Sequence, residues 1–132
     1  VTTSSRQGAR EVYGFVDIGG GQIVDETNTA RTVQRAFLDA SGAGDTQIVA
    51  AQGAGIRIRV IAYTFVAAAA VTVTFRSAAA GISSGKPVAA NGGVVAGEAP
   101  HGWFQTLANE ALNINLSGAV AVGVDLLWMQ AT

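Results

Sequence analysis

Apolar and polar residues alternate one by one along most of this chain, the period of a strand rather than of a helix. The stretch EVYGFVDI sets Val12, Gly14, Val16 and Ile18 against Tyr13, Phe15 and Asp17. In IRIRVIAYTFV, Ile56, Ile58 and Val60 fall on one face, and Arg57, Arg59, Ile61, Tyr63 and Phe65 on the other. VTVTFR turns Val71, Val73 and Phe75 inward and Thr72, Thr74 and Arg76 outward. ALNINLS alternates Leu112, Ile114 and Leu116 with Asn113 and Asn115. GAVAVGVDLLWMQ builds one apolar face from Val120, Val122, Val124, Leu126 and Trp128. TQIVAA and HGWFQTL read as shorter strands. KPVAANGGVVAG is expected to break at NGG, a strong turn signal. Short strands separated by GGGQ, QGAG, SAAAGISSG and ANE predict an all-β fold. The expected form is an antiparallel β-sandwich, jelly-roll-like, with an extended N-terminal arm.

The pattern divides the chain at residue 45. Residues 1–45 hold four of the eight basic and six of the nine acidic residues. VTTSSRQGAR has no apolar period and reads as an extended arm without a signal-peptide core. EVYGFVDI follows it as a first strand. NTARTVQRAFLDASG places Val33, Phe37 and Leu38 at helical spacing, so it reads as one short helix or as an extended segment. Residues 46–132 are the expected sandwich domain.

Composition adds a question about surface. Only 13% of the residues are charged, against 49% apolar, where a soluble domain averages about 25% charged. The second face of the last strand carries Ala119, Ala121, Gly123, Leu127 and Met129 around Asp125. An antiparallel sheet with one wet face alternates apolar with polar. Small and apolar residues on both faces, AYTFVAAAAV included, predict close contact with a second layer or a neighbouring chain; the alternative reading of AAAA is a small-residue loop. The residues expected at a subunit or partner interface are Arg6, Arg10, Glu11, Arg57, Arg59, Tyr63 and Trp103. Arginine suits interface ion pairs because its planar fork matches a carboxylate, and Trp103, Phe104 and Trp128 read as core or interface anchors.

Chemistry is sparse. The chain has no cysteine and one histidine, His101, which excludes a structural zinc site built within one chain. His101 lacks a GxSxG nucleophile elbow or any other partner at sequence level. The acids Asp17, Asp25 and Glu26 flank a glycine turn and read as a solvated face. GGGQIV and GAGIRI lack the spacing of a dinucleotide fingerprint, and no Walker lysine follows either. No enzyme, cofactor or metal is expected. A net charge of −1 gives no electrostatic case for nucleic acid or an anionic membrane. No apolar run reaches the ~20 residues of a spanning helix. The absence of cysteine fits synthesis in a reducing cytoplasm.

Residues 47–129 carry a resemblance. IVAAQGAGIRIRVIAYTFVAAAAVTVTFRS, then VAANGGVVAG, then GWFQTLANEALNINLSGAVAVGVDLLWMQ look like a group of small tailed-bacteriophage virion proteins. The resemblance covers about two thirds of the chain and includes no catalytic residue. It implies a β-sandwich of the capsid decoration (cement) type, a homo-oligomer, trimer or dimer, on the outer surface of the virion. Its partner would be the major capsid protein, and its role would be to stabilise the head. Residues 1–45 lie outside the match. A fibre, neck or tail component and a carbohydrate-binding module for host attachment are the alternatives.

Overall fold

The computed structural model describes Ile23–Val24, Ala30–Arg31 and residues 32–132. The described residues form strands and no helix. A two-residue ribbon comes first, β1 (Ile23–Val24) against β2 (Ala30–Arg31). The main strands are β3 (Gln34–Ala40), β4 (Gly44–Val49), β5 (Arg57–Ala67), β6 (Val71–Ser77), β11 (Leu112–Leu116) and β12 (Val122–Ala131). Shorter ones lie between, β7 (Ala80–Gly81), β8 (Lys86–Val88), β9 (Gly93–Ala96) and β10 (Phe104–Gln105). The strand expected over EVYGFVDI lies outside the described residues.

Two antiparallel sheets result. The first runs β10–β5–β12–β3, with β9 on the same edge of β5 as β10. The second runs β4–β11–β6–β7, with β8 also on β6. The pairing is nested: β3 takes β12, β4 takes β11, β5 takes β9 and β10, and β6 takes β7 and β8. The chain therefore runs out along one side of a long double ribbon and returns along the other. The ribbon closes on itself where β12 also pairs β5 and β11 also pairs β6.

The two sheets share one core, a sandwich-like arrangement. Phe65 and Tyr63 of the first sheet meet Phe75 of the second at ring-centroid distances of 6.2 and 5.1 Å, both edge-on. Phe104 stacks on Phe75 at 4.9 Å. Around these rings pack Val73, Leu112, Ile114 and Leu116 from one side and Val122, Val124, Leu126 and Trp128 from the other, all buried. The alternation read from β6, β11 and β12 is that of the buried positions.

Two sequence expectations are corrected, and one left open is resolved. The segment around Phe37, read as a short helix or an extended segment, is strand β3. Local propensity is a weak prior that tertiary pairing overrides, and β12 offers this segment seven consecutive partners, from Val122↔Ala40 to Trp128↔Gln34. The division at residue 45 falls inside β4, and β3 already pairs with β12, so residues 34–45 are part of both sheets. The face assignment of β5 holds only to Val60. Leu127 opposes Ala62 while Trp128 opposes Val60, so Ile61 is an extra residue, a β-bulge. A bulge shifts the alternation by one. Ile58 and Val60 before it and Tyr63, Phe65 and Ala67 after it all join the core, so Arg57 and Arg59 do not share a face with Tyr63.

The glycine and alanine clusters lie at sheet crossings. Residues 68–70 of the AAAA run are exposed and carry the chain from β5 to β6 in the other sheet; this is the small-residue loop reading. The break at NGG also connects different sheets, since β8 belongs to one and β9 to the other. Asn91 takes a left-handed φ of 61° there, a conformation that asparagine tolerates. Next to it, a Cβ on Gly93 would collide with the carbonyl oxygen of Phe65, so only glycine lets β9 lie this close to β5.

Two outcomes test this core. Phe75→Ala removes the ring that Tyr63, Phe65 and Phe104 share and should cost ~3–5 kcal/mol in denaturant unfolding; a loss below about 1 kcal/mol would contradict the shared core. Burial raises the Tyr63 hydroxyl above its ordinary 10.0. The folded state then holds this proton more tightly than the unfolded chain. The contribution is full below about pH 10 and is lost as pH rises beyond it. Melting curves between about pH 8 and 11 should show Tyr63→Phe losing less stability on the alkaline side than the parent chain.

Candidate interaction surface

The outer face of the first sheet follows from its register. Paired residues of antiparallel strands point to the same side, so the side chains facing away from the core form rows across β9, β5, β12 and β3. One row is Val95, Thr64, Asp125 and Phe37; the next is Gly93, Val66, Gly123 and Asp39. A third holds Ala62, Leu127 and Arg35. Val95 is 82% exposed, Phe37 72% and Val66 56%. The charges on this face lie among them: Arg35 reaches Asp125 at 3.9 Å, with both side chains mostly in solvent. Ala62, Thr64, Val95, Leu127 and the Arg35–Asp125 pair line a shallow depression of ≈ 200 Å³.

The outer face of the second sheet has the opposite character. Its rows contain Asp45, Asn115 and Thr74, then Gln47, Asn113 and Arg76. Arg76 donates to both carboxylate oxygens of Asp45 at 3.1 Å, and Asn115 donates to the same carboxylate at 2.8 Å. Asn113 donates to the Ala78 carbonyl at 2.8 Å. These groups satisfy one another and water, the ordinary state of a wet sheet face. The molecule is thus two-faced, polar on one sheet and, on the other, exposing Phe37, Val66 and Val95 among Arg35, Asp39 and Asp125. Exposed apolar patches of this kind mark interaction sites.

The bulge at Ile61 creates a second feature. The strand along this edge of β5 is broken there: Ala99 donates to the Ile61 carbonyl and Trp103 to the Val60 carbonyl, leaving Pro100, His101 and Gly102 looped outward. The Trp103 indole Nε1 donates to the Gly97 carbonyl at 2.7 Å and ties the loop shut. Gly102, at φ 85°, lies against the Arg59 side chain, where a Cβ would clash. Trp103 stays 51% exposed, with its ring edge-on to Tyr63 at 6.2 Å. Leu107, 54% exposed, lies a few residues beyond.

The expected interface residues part company here. Trp103 is at the surface. Arg57 is half-buried and donates to the Thr106 carbonyl at 3.4 Å. Arg59 is buried, with Nε and one terminal nitrogen donating to Gln105 Oε1 at 3.1 and 3.0 Å. Tyr63 is a core residue. The two arginines therefore fasten the β10 segment to β5 within the chain. Arg6, Arg10 and Glu11 lie outside the described residues, as do Asp17, Asp25 and Glu26. His101 is exposed in its loop. Among the described residues, no three histidine or acidic side chains come together to hold a metal, and no helix is long and apolar enough to cross a membrane.

Phe37, Val66 and Val95 were not among the interface residues expected from sequence, yet a signal for them exists. Each adjoins a second bulky apolar residue: Phe37–Leu38, Phe65–Val66, Val94–Val95. In a regular strand such neighbours must face opposite ways, so one of each pair is committed to the outer face. No protein-family model matches the chain, and no curated protein or solved structure matches it significantly.

Proposed function

We propose that this chain is a non-enzymatic assembly protein of the capsid-decoration type, carried on the outer surface of a tailed-phage head. It acts as a homo-oligomer, a trimer by the resemblance, and binds the major capsid protein. The observation that carries the reading is the two-faced sandwich, with Phe37, Val66 and Val95 exposed on one sheet and a satisfied polar network on the other. Subunits meet through the apolar face, while the polar face stays wet. Arg35 and Asp125 at the centre of the apolar face give a second copy both signs of charge to answer.

The nested pairing supports a jelly roll as the finer description of the sandwich. Two sheets wound from one double ribbon are its defining feature, and the architecture recurs in viral capsid and lectin domains. Fold alone does not give function; the apolar face and the sequence resemblance supply the rest. Lectins share this architecture, and the rigidly tied, half-exposed Trp103 is a preset aromatic surface. That observation favours host attachment through carbohydrate as the second reading. Quenching or shift of tryptophan fluorescence on a glycan panel, lost in Trp103→Ala, would select it.

Phe37→Ser with Val95→Ser should lower self-association at least tenfold in light scattering, with melting changed by less than about 1 kcal/mol because both side chains are mostly solvated. Unchanged association would remove the apolar face from the assembly. Imaging of intact particles checks location: a regular lattice on the head supports decoration, and a few copies at one vertex support a neck or fibre part.

Residues 1–10 have no apolar period and are proposed to serve attachment rather than folding. A chain starting at Glu11 should melt within about 1 kcal/mol of the full chain and occupy undecorated heads less fully. A large fall in melting with normal occupancy would make residues 1–10 part of the domain instead.

A further inference from the structure

We infer that the outer face of the first sheet is complementary to itself and receives the same face of a second copy, turned end for end. Arg35 of each copy enters a notch beside Asp39 of the other. The inference rests on the reading that this face joins subunits and adds which residue meets which.

The three rows of the face carry the argument. Arg35, Leu127 and Ala62 lie at one end, and Phe37, Asp125, Thr64 and Val95 in the middle. Asp39, Gly123 and Val66 lie at the other end. A two-fold axis that crosses the strands above the middle row sets each end row on the other. Leu127 then meets Gly123, which has no side chain. Ala62 meets the larger Val66, and Arg35 meets Asp39. All three pairs are complementary, two in size and one in charge. An axis along the strands would set β3 over β9 instead and leave Arg35 and Asp39 without an opposite charge.

The notch has a defined shape. The Asp39 Oδ1 atom lies 3.5 Å from the position a Cβ on Gly123 would take, so the carboxylate leans over bare backbone. Ser41, Val66 and Asn91 also line this depression of ≈ 440 Å³. Oxygen acceptors beside an aliphatic wall suit a guanidinium and its methylene stem. Arg35 stands 73% exposed, and its 3.9 Å approach to Asp125 is longer than a hydrogen bond. Stacked sheets lie ~10 Å apart, a gap that an arginine and an aspartate span together.

The middle row meets itself, so Asp125 faces Asp125 of the second copy. Like charges placed together oppose association, and this position weakens the contact that the end rows make. A two-fold contact joins one patch to itself, whereas a three-fold contact joins two different patches. This face therefore forms pairs, and a trimer uses other surfaces.

Charge reversal tests the register. Arg35→Asp and Asp39→Arg each set like charges together in both contacts. Alone, each variant should self-associate at least tenfold more weakly than the parent chain in light scattering. Mixed, the two regain both opposite-charge contacts and should pair with each other within about threefold of the parent affinity. Parent-like self-association of either variant, or a mixture that fails to pair, would overturn the register. Asp125→Asn and Asp39→Asn are the second measurement, because both remove one negative charge from an exposed side chain. The first should strengthen association about threefold and the second weaken it by a similar factor. Any other outcome would overturn the register, however the charge-reversed variants fold. If Phe37→Ser with Val95→Ser abolishes association while the charge variants fail these tests, the face still joins subunits and this register alone is wrong. A parent chain that does not self-associate would overturn both.

Discussion

The pairing of β5 with β12, with its bulge at Ile61, is the constraint on which the rest depends. These are the two longest strands, eleven and ten residues, at the centre of the first sheet. A strand this long with strict alternation would keep one face throughout. The extra residue lets Ile58 and Val60 and then Tyr63, Phe65 and Ala67 all turn into the core. It also breaks the neighbouring edge strand into β9 and β10 and expels the loop that Trp103 closes. One irregularity thus sets the core's aromatic cluster and the most prominent loop of that edge.

Nested pairing explains how a chain with so few charges can still have a wet side. Each outgoing strand lies beside its returning partner, so the polar positions of β4, β6 and β11 gather on one surface. Asp45, Arg76 and Asn115 come from three separate strands and satisfy one another there. The other surface collects Phe37, Val66, Val95 and Leu127, interspersed with Thr64, Arg35, Asp39 and Asp125. Left open, such a face would be an aggregation liability. Under the proposed function, a partner subunit covers this face.

The proposed role asks for no reactive group. Arg57 and Arg59, the residues that look most like a binding pair in the sequence, are committed within the chain to Thr106 and Gln105. Among the described residues, Phe37, Val66, Val95, Trp103 and Leu107 are the large apolar side chains left exposed.

The sequence by itself determined the class of the fold and most of its inner face. Alternation in VTVTFR, LNINL and the last strand is local, because successive side chains of any strand point opposite ways whatever lies beside it. The core residues Val73, Phe75, Ile114, Val124 and Leu126 were legible for that reason. Tertiary structure alone decided three matters. It made RAFLDA a strand, because seven partners on β12 outweigh a mild helical preference. It placed the bulge at Ile61, since an unpaired residue is defined only by the register of two strands. And it chose which member of Phe37–Leu38 and Val94–Val95 met solvent. Alternation says that such neighbours differ in face, but only the position of the second sheet says which face is inside.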